Sequence, residues 1–491
     1  MAAACIALLK ILILTPLYFF RMRVMSPTPV PDQVKSVGLF HVPAHANGGG
    51  EKVLWAIVNK LIEEKKYKIV VYSDIVDKED MIGKVNKFFG YSIKSDDFTL
   101  IQLESGYLTY SDHWSLFSRY IEGLSHFAVT FTALEKFMPD VFIETFTAHF
   151  SPIAAKLLNP NLKVITYVHY PYTSTEFVGG YWHTLIGAGV SIKNRLFAAW
   201  KVVYHYTLYL IYGTMGWFND VCYTNSSWTQ NHMEGNWPGK CSVLYPPCNV
   251  DEFWSQDFSN KKKVVVSLAQ YRSEKRHDVQ LDMMKYHQER HPESDVVLKI
   301  MGSAKFEDSE KIYNHLVDRV NKEKIRNVQV LKNLDFKEVM KHMKEASFGV
   351  HTMIDEHFGI SIVEMLAGGL VCLAHRSAGP RDDILGNHTH ELHGLLAKDD
   401  ADFNVTFNRM IEDFNDDAKK QDLLKMVQRG QKFAQEHLSN EAFSTKFVAK
   451  IAEFDKEFRA GAAQRAKEAA QKAKEAAKQE KNKKKNGDGD L

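Results

Sequence analysis

The sequence predicts an α/β protein of two Rossmann-like, parallel-sheet domains that face each other across a cleft, with a membrane anchor at the N-terminus. Three observations predict it. A chain of 491 residues exceeds what one hydrophobic core accommodates. Its first half opens with a strand, a glycine loop, a helix and a second strand, and the same alternation starts again near residue 262. An apolar run lies within the first 24 residues.

Residues 5–20, CIALLKILILTPLYFF, are short for a span, which takes about 17–25 apolar residues, and Lys10 interrupts them. A signal peptide, an uncleaved anchor and a surface-lying amphipathic helix all accommodate such a run. No small-x-small cleavage site follows it, and Arg21, Arg23 and Lys35 flank its C-terminal side. Under the positive-inside rule this favours an uncleaved anchor, residues 1–24, with the body of the chain in the cytosol. The proline-rich SPTPVPD at 26–32 leads into a first domain expected over 32–245.

There VGLFHV (37–42) is the short, wholly apolar run of a buried parallel strand. Gly48-Gly49-Gly50, the helical EKVLWAIVNKLIEE and the strand KIVVYS (68–73) complete a βαβ unit. Further strands are expected at 141–144, 163–168 and 220–224. Residues 182–218 are rich in aromatic and aliphatic side chains, and Lys193, Arg195 and Lys201 stand at the start of the most apolar part, 196–218. A buried core helix and a partly membrane-inserted interfacial helix both fit; abundant Trp and Tyr with flanking cations favour the second. Pro246, Pro247 and the polar 255–263 mark the join.

The second domain is expected over 262–440, with strands in KKKVVVSLAQY, VVLKIMG, VQVLKNL and FGVHTM and helices such as 276–290 and 307–324 between them. A C-terminal helix (441–460) and a charged low-complexity tail (461–491) follow, and the tail's Ala/Lys/Glu composition cannot build a core. The 62 basic and 60 acidic residues leave a net charge of only +2, so no field argues for nucleic acid. Five cysteines without a CxxC pair argue against a disulfide framework or a zinc site and fit a reducing compartment.

Three places carry chemistry. Gly48-Gly49-Gly50-Glu51 sits between a strand and a helix N-terminus, where free N–H groups and a positive dipole end suit a phosphate; a ligand-free tight turn is the plainer alternative. Arg272 and Lys275, just past the strand VVVSLAQ, lie where open α/β sheets bind ligands, and two cations there suit a diphosphate, although a loop Arg–Lys pair is ordinarily solvated surface charge. In HTMIDEHFGISIVEMLAGG (351–369), Glu356 and Glu364 frame Phe358-Gly359-Ile360 at a strand–glycine–helix junction. The helix tip can aim N–H groups at a phosphate, while Glu364 accepts from ribose hydroxyls and Glu356 from sugar hydroxyls.

That last stretch resembles the E-x7-E motif of retaining nucleotide-sugar glycosyltransferases with the two-domain GT-B fold. HANGGGEKVLW, YVHYPYTSTE, NSSWTQNH, VLYPPCNVDEF, SLAQYRSEK and HFGISIVEMLAGG, in this order over about residues 36–450, resemble the endoplasmic-reticulum α-1,2-mannosyltransferases of dolichol-linked oligosaccharide synthesis. The resemblance implies GDP-mannose as donor and trimannosyl-GlcNAc2-diphosphodolichol as acceptor. It also implies two α-1,2-mannoses added in sequence, and an endoplasmic-reticulum membrane location with the catalytic domains on the cytosolic side. Other mannosyltransferases of lipid-linked oligosaccharides are candidate partners.

By position, Glu356 is expected at the donor mannose and Glu364 at the ribose. Phe358, Gly359 and Ile360 supply backbone contacts, Gly49 and Gly50 approach the donor, and Lys275 stabilises departing GDP. His169 in YVHYP matches a histidine of the sugar pocket; without the resemblance it reads as a structural histidine at a strand end. Many relatives carry arginine where this chain has Gln270, and Arg272 stands two residues later as its substitute. No DxD-like signature stands in a suitable place, so no cofactor or obligatory metal is expected. Two alternatives stay open: a related enzyme of an earlier lipid-linked step, and a catalytically silent nucleotide-binding membrane scaffold.

Overall fold

The computed structural model describes residues 30–487 apart from 46–47, 111–113, 115–116, 147–149, 174, 188, 257–260 and 387–390. The expected anchor, 1–24, lies outside the described residues. Seven parallel strands form the first sheet: β1 (Ser36–Phe40), β2 (Lys68–Ser73), β3 (Thr99–Gln102), β4 (Val141–Glu144), β5 (Lys163–Val168), β6 (Val221–Thr224) and β7 (Cys241–Val243). Six form the second: β8 (Lys262–Leu268), β9 (Val297–Gly302), β10 (Val328–Lys332), β11 (Ala346–His351), β12 (Val371–His375) and β13 (Leu395–Ala397). The orders are β3-β2-β1-β4-β5-β6-β7 and β10-β9-β8-β11-β12-β13, every pairing parallel. Helices cover both faces, so β1, β4, β11 and β12 are buried at every position, which is why they read as mostly apolar runs.

Strand order reverses between β1 and β4 in the first sheet and between β8 and β11 in the second. Chain leaving the carboxyl ends of these neighbours splays to opposite faces and opens a crevice. The two crevices confront each other, and three features hold them so. Asp383 of the second domain is fully buried and accepts from Ser227 N–H at 3.1 Å, Ser227 Oγ at 2.6 Å and Tyr245 Oη at 3.1 Å. Burial pushes its carboxyl up to about 6 despite those donors. His357 of the second domain lies between Tyr170 and Trp228 of the first, with ring centroids 4.6 and 4.7 Å away.

The third is the long C-terminal helix, Asn440–Gly487, which runs on into the expected tail. It leaves the second domain and lays Phe443, Phe447, Ile451, Phe454 and Phe458 into the core of the first, against Trp55, Ile57 and Leu61. Cys248, Val250 and Phe253, just past the two prolines, already belong to a core of the second domain. The four described cysteines are buried and free.

The apolar 182–218 region folds as a hairpin of two helices, Thr175–Ile186 and Ile192–Met215. Tyr204, Leu208, Tyr212 and Met215 turn inward onto Ile153, Val168 and Tyr172. Ile192, Leu196, Trp200 and Val203, at helical spacing, turn outward with Phe197; Leu196 is 68% and Phe197 54% exposed. Among the described residues no helix is long and apolar enough to cross a membrane.

Candidate active site

The cleft between the sheets encloses about 600 Å³ and is lined by both domains. Its second-domain wall is built at the β8/β11 switch point. Past β8 the chain makes a short turn, Ser273–Lys275, and Thr352, just past β11, donates from Oγ1 to the Lys275 carbonyl at 2.8 Å. That bond ties the lysine's turn to the neighbouring strand end. Lys275 Nζ reaches Glu356 Oε2 at 2.5 Å, and His351 Nε2 meets the same oxygen at 2.9 Å. A carboxylate only accepts, so His351 carries its proton on Nε2. Burial alone would raise the Glu356 pKa, but His351 and Lys275 outweigh it and hold the group ionised, far below the usual carboxylate range.

The loop that presents Glu356 is shaped by backbone. Asp355 has φ 53° and Gly359 φ 112°, and Gly359 is the N-cap of the helix Ile360–Ala367. Ser377 Oγ accepts from Asp355 N–H at 2.8 Å, and Gly379 N–H donates to the Glu356 carbonyl at 3.0 Å. A side chain at Gly379 would stand 2.5 Å from the Phe358 carbonyl, so only glycine lets β12's exit loop support this one. Phe358, Gly359 and Ile360 line the cleft at the helix tip.

The first-domain wall rests on Thr145, at the end of β4. Its carbonyl accepts from His169 Nε2 at 3.0 Å, and its hydroxyl lies 2.9 Å from His41 Nδ1 at the end of β1. His41 Nε2 points to Glu51 Oε1 at 3.3 Å, and Glu51 Oε2 accepts the Gly48 N–H at 2.8 Å. Burial would raise the Glu51 pKa, but His41 and the backbone donors outweigh it. A continuous hydrogen-bonded chain thus runs from His169 through Thr145, His41 and Glu51 to the glycine loop, whose Gly49 and Gly50 line the cleft. His169 carries its proton on Nε2, which leaves Nδ1 as an acceptor. Desolvation and the neighbouring His41 push its pKa down to about 4, so it is neutral at pH 7.

The cleft therefore brings together Gly49, Gly50, His169, Arg272, Lys275, Glu356, Phe358, Gly359 and Ile360. Arg272 is the most exposed of the cations, its guanidinium 3.8 Å from Glu274. Glu364 lies a turn deeper in its helix, largely buried, with Oε1 3.7 Å from Lys52 Nζ of the first domain. Sequence reasoning missed His351, Thr145, His41 and Lys52. Each stands next to a strand end or glycine loop that was recognised, but adjacency alone singles none of them out.

Two Rossmann-like domains whose switch points face across a cleft, with a glycine-capped helix tip and a lysine–glutamate pair on the second-domain wall, have the architecture of a GT-B glycosyltransferase. Residues 34–237 match the family described as ALG11 mannosyltransferase N-terminus, and residues 250–432 the family described as glycosyl transferases group 1. The mouse GDP-Man:Man(3)GlcNAc(2)-PP-Dol alpha-1,2-mannosyltransferase is 32% identical over 384 residues, 75% of this chain and 77% of that protein. The enzyme of the same name from Dictyostelium discoideum is 29% identical over 390 residues, 74% of this chain and 75% of that protein. Among solved structures, Anabaena HepE in complex with UDP and glucose superposes with a TM-score of 0.55 at 13% identity, covering 85% of this chain and 100% of that one. Sucrose-phosphate synthase from Thermosynechococcus elongatus does so at 0.59 and 15%, covering 86% and 99%. These two share the fold. The chain belongs to the family of GDP-Man:Man(3)GlcNAc(2)-PP-Dol alpha-1,2-mannosyltransferases and is a glycosyltransferase.

Proposed function

We propose that the protein transfers mannose from GDP-mannose to the trimannosyl-GlcNAc2-diphosphodolichol intermediate, forming two α-1,2 linkages in sequence on the cytosolic face of the endoplasmic reticulum. The relatives are named for that donor class, acceptor and linkage, which supports the reading. The observation that carries it here is the Lys275–Glu356–His351 cluster beside a glycine-capped helix tip.

Glu356, kept ionised, accepts from hydroxyls of the donor hexose, and neutral His169 accepts one more across the cleft. The N–H groups at the tip of Ile360–Ala367 bind diphosphate oxygens. Lys275 and Arg272 stabilise the charge that builds on GDP as the glycosidic bond breaks. Donor and product are both α-linked, so the substitution retains configuration. It proceeds on one face through an oxocarbenium-like state, with the leaving phosphate taking the acceptor's proton. The cations supply the charge stabilisation that a metal would otherwise give, and EDTA is expected to leave turnover unchanged.

The lipid acceptor stays in a bilayer, so the first domain docks there. The outward stripe of Leu196, Phe197, Trp200 and Val203, with Lys193, Arg195 and Lys201 alongside, forms the docking surface, and residues 1–24 form the anchor. Purified protein supplied with GDP-mannose and the lipid-linked trimannosyl acceptor tests the function. Two added mannoses, both α-1,2-linked by linkage analysis, are expected. A different linkage points to an earlier lipid-linked step, and GDP binding without transfer points to a silent scaffold.

A further inference from the structure

One buried cation of the first domain serves the second. Lys52 stands in the first turns of the helix Gly49–Glu64, directly after the glycine loop, and is 7% exposed. Its ammonium lies 3.7 Å from Glu364 Oε1 of the second domain, and neither side chain is among those that line the cleft. Among the described residues this is the ion pair that Glu364 makes. A second carboxylate, Glu252, shares the field of the same ammonium. The two helices touch at this point, since a side chain at Gly49 would meet Ile360 Cδ1 at 3.5 Å. Burial raises the Glu364 pKa and Lys52 lowers it, so the ammonium opposes protonation of the carboxyl and fixes its orientation.

We propose that Lys52 is a positioning residue for the donor nucleotide. Holding Oε1, it leaves Oε2 of Glu364 to accept from the ribose hydroxyls, so nucleotide recognition in the second domain is completed by a side chain of the first. This rests on the reading that Glu364 takes the ribose of a nucleoside-diphosphate sugar. A lysine that served only to join the domains would contribute equally to every nucleotide, whereas one acting through Glu364 contributes most where ribose hydroxyls are present.

The test uses the full chain in detergent, with GDP and 2′,3′-dideoxy-GDP as probes in calorimetry. Lys52→Met is expected to weaken GDP by about tenfold and the dideoxy nucleotide by less than about threefold, with Lys52→Arg restoring GDP binding to within about threefold. Should Lys52→Met fail to fold, Lys52→Gln is read in the same way. GDP bound by the variant within about twofold of wild type overturns the inference, and so does an equal loss for both nucleotides. Wild-type protein that binds GDP and dideoxy-GDP equally well overturns the ribose role of Glu364, and the Lys52 inference falls with it. Wild type that discriminates while Lys52→Met is unaffected overturns the Lys52 inference alone.

Discussion

Glu356 and Lys275 are separated by 81 residues in the chain and by 2.5 Å in the cleft. The lysine is one of two partners holding that carboxylate and, in the proposed reaction, the cation nearest the departing phosphate. Removing a charge-stabilising donor costs about 10²–10³ in rate, so Lys275→Ala should lower kcat on that scale; turnover within about twofold of wild type argues against the role. Both residues were legible because each sits in a recognisable local setting, a polar turn after an apolar strand and a glycine junction before a helix. Thr145 was not. It stands in no motif, and its significance comes from β4 lying between β1 and β5, which places one threonine within reach of His41 and His169. Lys52 was illegible for a related reason, since its partner belongs to the other domain.

At the scale of elements, alternation of apolar strands with helices was plain in the sequence because strands buried on both faces are mostly apolar at consecutive positions. The hairpin of 175–215 was harder to read. Its second helix is apolar on both sides, and composition does not separate the side facing Ile153 and Tyr172 from the side facing out. Helical spacing of Ile192, Leu196, Trp200 and Val203 does. Replacing Leu196, Phe197 and Trp200 together by serine should reduce binding to vesicles containing anionic lipid by about tenfold or more, because each apolar side chain contributes about 1.5–3 kcal/mol on burial. Protein with the hairpin intact but without residues 1–24 should retain partial association. A truncated protein that cosediments with no vesicle at all would rule out docking through this hairpin.

Across the whole molecule, the return of the C-terminal helix to the first domain was the least legible feature. The spacing of Phe443, Phe447, Ile451, Phe454 and Phe458 announces an apolar helix face but does not say which core receives it. With Asp383 and the ring contacts of His357, that helix makes the two domains one cooperative body, so stability should respond to titration anywhere in it. Burial pushes His126 down to about 3 and His277 to about 4, the latter helped by His351 and Lys275. The unfolded chain protonates its histidines near about 6.5 while these two stay neutral in the fold. Their contribution is complete above that pH and is lost as pH falls toward 4, by up to about 1.4 kcal/mol per pH unit for each. The denaturant midpoint should therefore drop between pH 7 and pH 5, and a flat profile would contradict the assignment of these histidines.

The central claim is that Glu356 grips the transferred hexose while the nucleotide is bound by other groups. Turnover and GDP affinity of Glu356→Gln, measured side by side, test it most directly. Mannose transfer should fall by about 10²–10³ while GDP binds within about threefold of wild type, since GDP carries no hexose. Transfer at the wild-type rate, or a loss of GDP binding that matches the loss of turnover, would contradict it.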